Sequence, residues 1–182
     1  MVVPSTSTLT PAQQKMNDLW DEHVRCEFAD HDVEATLKTM CKGAYVHNVA
    51  TMTGGRELPG VQDFYAYIFL PQLPPDTETT LISRTIGDTQ IVDELIFKFT
   101  HTVPMAWMLP GVNPTGKRVE VPLVAIIGFR EGKISHEHIY WDQASVLVQV
   151  GLIDPENLPV NGIASAQTLN AITVNLKIRK IS

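Results

Sequence analysis

Apolar positions along the first third of the chain recur at helical spacing. Thr10-Pro11 has the form of a helix start, Thr as cap and Pro in the first turn. Met16, Leu19, Trp20, His23, Val24 and Phe28 then follow three and four residues apart, one face of an amphipathic helix. Asp30 or Asp32 can cap a second helix carrying Val33, Leu37, Met40 and Cys41, with Gly43 as its end. Ala44 to Val49 reads as a short strand and Thr53-Gly54-Gly55 as a turn. A third helix, Gly60 to Leu70, presents Val61, Phe64, Tyr65, Ile68 and Phe69 and stops at Pro71, Pro74 and Pro75.

From residue 77 the period changes to two. Thr77–Gly87, Gln90–Val103, Arg118–Arg130 and Ile134–Trp141 read as strands, linked by turns at Gly87-Asp88 and Glu131-Gly132-Lys133. Pro104 to Lys117 is a loop with Pro110-Gly111 and Pro114-Thr115-Gly116 as breakers. Asp142 can cap a last helix that runs through Gln149 to Gly151. Beyond it, Ala171 to Ile181 alternates as a strand would. Helices segregated from an antiparallel sheet predict an α+β layer fold, with three to four helices on a strongly curved sheet. The concave mouth of such a sheet is a common place for a small ligand.

The chain of 182 residues is long enough for one domain with a real core. We divide it into a flexible lead-in (1–10), a core domain (11–153) and an extension (154–182). Apolar residues make up 44% and charged residues 19%, a globular composition. The net charge of -6, from 14 basic and 20 acidic residues with no basic stripe, argues against nucleic acid and anionic membranes as partners. Two cysteines, Cys26 and Cys41, lack any CxxC pairing and are expected as buried free thiols in a reducing compartment. The N-terminus lacks the basic start and apolar stretch of a signal peptide, and the apolar run Val121–Ile127 is too short to span a bilayer. A soluble, cytoplasmic protein is the expectation.

Three segments carry a resemblance. They are the loop Leu109-Pro110-Gly111-Val112-Asn113-Pro114-Thr115-Gly116-Lys117, the hairpin Phe129-Arg130-Glu131-Gly132-Lys133-Ile134, and Tyr140-Trp141-Asp142 followed by Leu147-Val148-Gln149-Val150-Gly151-Leu152. In this order and spacing they resemble the SnoaL-like branch of the nuclear transport factor two-like superfamily, over residues 11 to 154. That resemblance implies a cone-shaped domain with a central apolar pocket, a homodimer, a hydrophobic small molecule as ligand, and chemistry without metal or cofactor. It includes polyketide cyclases, ester cyclases, isomerases, dehydratases and epoxide hydrolases, and also members that only bind. Fold alone therefore names no reaction.

The candidate chemistry is concentrated in His136-Glu137-His138-Ile139-Tyr140-Trp141-Asp142. On a strand, His136, His138 and Tyr140 share one face, and Glu137, Ile139 and Trp141 the other. Both faces mix polar and apolar groups, so pattern leaves open which is inside. Asp142 depends least on register, although capping the last helix would account for it equally well. His-x-His also has the form of a metal pair; its third ligand would have to come from elsewhere, such as His101 or Glu94, and no metal is expected.

Many relatives carry an Arg early in the second long strand, where this chain has Glu94; the resemblance favours Glu94 in the pocket, whereas the apolar parity of Leu95, Phe97 and Phe99 favours Asp93. The resemblance also matches His101 to a pocket histidine. The apolar loop residues Met105, Trp107, Met108 and Leu109 predict a lid or a contact with a partner subunit. Tyr65 is a further candidate, with Tyr45 and His47 behind it.

The reading from sequence is thus a cofactor-independent acid/base isomerase or cyclase acting on a polyketide- or terpenoid-like molecule. Asp142, His138 and Glu94 are its expected catalytic groups, and His101, Trp107, Met108, Tyr65, Tyr140, Glu137 and His136 its expected binding groups. A lactone or epoxide hydrolase and a non-catalytic binding or dimerisation module are the alternatives. No nucleotide-binding loop or Ser nucleophile elbow is present.

Overall fold

The computed structural model describes residues 8–179; the first seven residues of the lead-in, and the last two of the expected terminal strand, lie outside them. Helix α1 (Pro11–Arg25) begins on a capping box in which Thr10 accepts from the Gln13 amide and the Gln13 side chain returns the bond. It runs into a π-helical turn, Cys26–Asp30, closed by His31 in the left-handed region at φ 51°. Helix α2 (Val33–Lys38) is capped by Asp32. Strand β1 (Met40–Asn48) starts earlier than the sequence suggests, so Met40 and Cys41 are on a strand and not a helix. Cys26 is buried and Cys41 half-buried, and both are free.

Thr53–Arg56, expected as a turn, is strand β2. Helix α3 (Glu57–Asp63) continues as a π-helical segment, Phe64–Phe69, and a 3-10 turn, Leu70–Gln72. Gly55 is required where β2 meets α3. A Cβ there would stand 2.2 Å from the Gly60 carbonyl oxygen.

Strands β3 (Glu78–Ile86), β4 (Gln90–Thr100), β5 (Arg118–Arg130) and β6 (Lys133–Trp141) complete a six-stranded curved sheet in the order β2-β1-β6-β5-β4-β3. It is mixed rather than wholly antiparallel, because β1 and β6 run parallel. Register shifts between Leu81 and Ser83 and between Gly128 and Phe129 accompany its curvature. Helix α4 (Gln143–Gln149) follows β6.

The expected C-terminal strand is instead helix α5 (Ala164–Arg179), packed near β5 through the buried Ala166. Its apolar residues alternate, but Ile172 and Val174 are exposed on the helix and bury no sheet face.

The core lies between the concave face of the sheet and the helices α1 and α3. Ile127, Ala125 and Leu123 of β5 face Glu137, Ile139 and Trp141 of β6 on that inner side. The outer side carries Tyr45, His136, His138 and Tyr140. Among the described residues, no helix is long and apolar enough to cross a membrane.

Candidate active site

A cavity of about 150 Å³ opens inside the cone. Aromatic and aliphatic side chains make most of its wall, among them Phe28, Phe64, Phe69, Phe97 and Leu123. Asn48 and Thr79 also line it, and two clusters of charged and polar groups interrupt it. The first is Asp93, whose carboxylate takes the Trp20 indole N–H at 2.8 Å and the Arg84 guanidinium in a fork at 2.7 and 2.8 Å. Arg84 also ties this strand to Asn17 and Asp21 of α1. Both Asp93 oxygens are occupied, so the pair reads as a clamp across the sheet and helix.

The second polar group is Glu27, Tyr65 and Glu137, with His23 behind them. Glu27 and Tyr65 each sit in a π-helical segment, a rare geometry that recurs at functional sites. Helix α1 and the π-helical turn that continues it hold His23 and Glu27 four residues apart, and β6 brings Glu137 from the sheet. His23 Nε2 lies 3.1 Å from Glu27 Oε1, 3.2 Å from Glu137 Oε1 and 3.2 Å from the Tyr65 hydroxyl. Tyr65 donates to Glu137 Oε1 at 3.0 Å. His23 is fully buried, and both glutamates are 4% exposed.

The proton on Nδ1 of His23 follows from its neighbour. Thr39 donates its hydroxyl proton to the Thr36 carbonyl at 2.6 Å, so at 2.5 Å from His23 it can only accept. Nδ1 therefore carries hydrogen, and Nε2 faces the carboxylates. Burial alone would push the imidazole down; the facing Glu27 and Glu137 charges outweigh it and carry it up to about 10. His23 is an imidazolium at neutral pH. Burial raises Glu27 above the usual carboxylate range, opposed by His23. Burial and the two carboxylates also raise Tyr65 well above an ordinary phenol, which keeps it a neutral donor.

One imidazolium faces two carboxylates, so full compensation requires one further proton or cation. His23, Glu27 and Glu137 offer donor atoms within 4.8 Å of one another, the one such group of three among the described residues. Those atoms also hydrogen-bond to one another and to Tyr65.

The residues singled out from sequence divide between inside and outside. Glu137, Tyr65 and Trp107 line the cavity. Asp142 does not: it caps α4, accepting from Ala144 N at 3.0 Å and Ser145 Oγ at 2.8 Å, which fills both its oxygens. Asp142→Ala is expected to lower stability by about 1 kcal/mol in urea denaturation, the usual worth of such a cap, and to leave the cavity's chemistry unchanged.

His136, His138 and Tyr140 stand on the outer face, because parity puts Glu137 inside. There Tyr45 stacks on His136 at 5.4 Å between centroids and its hydroxyl meets His138 Nε2 at 2.9 Å. Burial, then the neighbouring His138, lowers His136. Glu94 also points outward, accepting from Ser83 Oγ at 3.1 Å, and Asp93 takes the inner position that apolar parity favours. His101 is buried outside the cavity, where its Nδ1 accepts from the Thr115 amide. Met108 is buried in the core and does not line the cavity.

The apolar loop 104–110, expected as a lid or a contact with a partner subunit, packs inward. Met105, Trp107, Met108 and Leu109 are buried in this chain's own core. Residues that sequence reasoning passed over are His23, Glu27, Arg84 and Trp20. A histidine inside an apolar helical stripe, with a glutamate four residues on, was the available signal for the first two.

No protein-family model matches the sequence, and no curated protein does. Solved structures do match. A putative SnoaL-like polyketide cyclase from Jannaschia sp. CCS1 aligns over 81% of this chain and 99% of its own, at TM-score 0.66 and 16% identity. AclR, a putative hydroxylase from Streptomyces galilaeus, aligns over 78% and 99% at TM-score 0.59 and 18% identity. SalBIII, an epoxide hydrolase/cyclase-like enzyme with a role in pyran ring formation in salinomycin, aligns over 71% and 92% at TM-score 0.55 and 16% identity. The fold of this chain is therefore that of the SnoaL-like proteins of the NTF2-like superfamily.

Proposed function

We propose that this chain is an enzyme that moves protons on a hydrophobic small molecule, in an isomerisation or a ring closure. The observation that supports this reading is the Glu27–Tyr65–Glu137 group at the wall of a largely apolar cavity, backed by the buried His23 cation. Two carboxylates whose surroundings differ make an acid and a base. Glu27, held up by burial, serves as the proton donor. Glu137, oriented by Tyr65 and His23, serves as the base. A carbon acid next to a carbonyl would lose its proton to Glu137, and Glu27 would return one at another carbon or at oxygen. His23 positions both carboxylates from behind the wall and does not line the cavity.

The same pair suits ring closure on an epoxide, the acid protonating the epoxide oxygen and the base taking a proton from an internal hydroxyl. Attack by water instead would make the chain a hydrolase. Oxygen-18 from solvent enters the product only in that second case.

The first test is exchange of the α-protons of 1-tetralone in deuterium oxide, followed by NMR. The wild-type protein is expected to accelerate exchange above heat-denatured protein, and EDTA is expected not to slow it. A ketone that binds in the cavity, with exchange no faster than in denatured protein, would remove the proton-transfer reading.

A further inference from the structure

The three tryptophans differ in one respect. The Trp20 indole N–H is bonded to Asp93 at 2.8 Å and that of Trp141 to Gln143 at 2.5 Å. The Trp107 indole N–H has no acceptor, although the residue is 2% exposed and lines the cavity. A buried donor left unpaired is costly, and an indole N–H can only donate.

The ring is also held where it is. Both Thr51 and Thr53 donate to the Trp107 carbonyl, at 2.7 and 2.9 Å. Gln72 accepts from Ala106 N and Gln143 donates to the Met108 carbonyl, which fixes the loop on either side. Phe69, Phe97 and Trp141 meet the ring edge to face at centroid distances of 5.1, 5.6 and 6.1 Å. So fastened, Trp107 has little freedom to turn and find an acceptor within the protein. Among the described residues the other buried side-chain atom without a partner, His101 Nε2, belongs to a residue that does not line the cavity.

We infer that the Trp107 indole N–H is a docking point for an acceptor oxygen of the ligand, and that the ligand is a neutral, oxygenated hydrophobic molecule. The inference rests on the cavity being the binding site, as proposed above. A hydrocarbon would leave the donor unpaired. A carboxylate ligand would find no unpaired cation in the lining, where Arg84 is held by Asp93, and would face the Glu137 carboxylate. A ketone, lactone, ether or epoxide oxygen satisfies the donor and brings no charge. If that oxygen is the carbonyl whose neighbouring carbon loses a proton, the same N–H stabilises the negative charge that develops on it. Sites built to bond a polar group discriminate strongly against analogues that lack it.

The experiment compares 1-tetralone with tetralin, which differ by the carbonyl alone. Calorimetry measures both affinities in the wild-type protein and in Trp107→Phe, which keeps an aromatic ring and loses the donor. The ketone-to-hydrocarbon affinity ratio, corrected for their different transfer from water to cyclohexane, is expected to fall at least about fivefold in the variant, consistent with the loss of one hydrogen bond. General loosening of the cavity affects both ligands and cancels in the ratio.

A second readout needs no variant. The indole N–H signals of the wild-type protein in a proton–nitrogen spectrum should include one that moves downfield with tetralone and not with tetralin. Binding of both ligands with an unchanged ratio, or identical indole signals in the two complexes, overturns the inference while the cavity stands as a binding site. Failure of both ligands to bind overturns the cavity reading and this inference with it.

Discussion

Replacing Glu137 by Gln is expected to slow α-proton exchange of 1-tetralone by at least about 100-fold, the lower end of what a positioned general base contributes. Gln has nearly the same shape, and its carbonyl can still accept from Tyr65, so affinity for the ketone should stay within about threefold. What it lacks is a site for the abstracted proton. His138→Ala and Asp142→Ala are the controls. Both residues lie outside the cavity lining, one on the outer face beside Tyr45 and one at the start of α4, so exchange should remain within about twofold of wild type. A Glu137→Gln protein that exchanges the ketone as fast as the control variants would remove Glu137 from the proposed role.

The contrast between Glu137 and His138 also marks what a strand pattern can and cannot convey. Parity separates the two residues onto opposite faces, and that much was legible. Which face is inside was not, since His, Glu, Tyr and Trp all tolerate partial burial. The choice came from β5, where Ile127 and Ala125 lie beside Glu137 and Ile139. Only the pairing register supplies that information. Strand β5 itself was legible to its ends, because its alternation is long and bounded by turn residues.

At Asp93-Glu94 the apolar parity of the strand and the resemblance disagreed, and parity chose the inner residue. Its neighbours Leu95 and Phe97 line the same cavity. A resemblance carries a position, but a side chain follows the local pleat. The terminal helix failed for the opposite reason. Alternation of Ile172 and Val174 implies a strand only where a sheet pairs with the segment, and here both residues are exposed on a helix.

The His23–Glu27 pair was half legible: spacing put both on one helical face, yet the second carboxylate comes from a strand over a hundred residues away. The π-helical turns that carry Glu27 and Tyr65 leave no comparable periodic mark.

His23→Gln is expected to destabilise the protein by about 3–5 kcal/mol at neutral pH, the cost of leaving a buried charge without its counter-ion. For a chain of this size that is a fall in melting temperature of roughly 10 °C. The variant keeps a donor toward Glu27 and Glu137 and loses the positive charge. If the loss is electrostatic, removing the charged carboxylate should restore much of it, so His23→Gln/Glu137→Gln should be more stable than His23→Gln alone.

The pH dependence separates this from a packing defect. In the wild type the imidazole is raised from 6.5 to about 10 on folding. A raised group binds its proton more tightly in the folded state, so its contribution is complete below about pH 6.5 and declines as pH rises through about 10. Glu27, also raised, acts in the same direction from a lower starting point.

Urea denaturation at pH 6, 8 and 10 should therefore show the wild type weakening with pH, and His23→Gln should lose most of the decline between pH 8 and 10. Below neutrality the variant should recover, because protonation of a facing glutamate removes the unpaired charge. Equal destabilisation of His23→Gln at every pH, with no rescue by Glu137→Gln, would mean that the histidine is a packing residue. The two carboxylates would then need another source for the order that proton transfer requires.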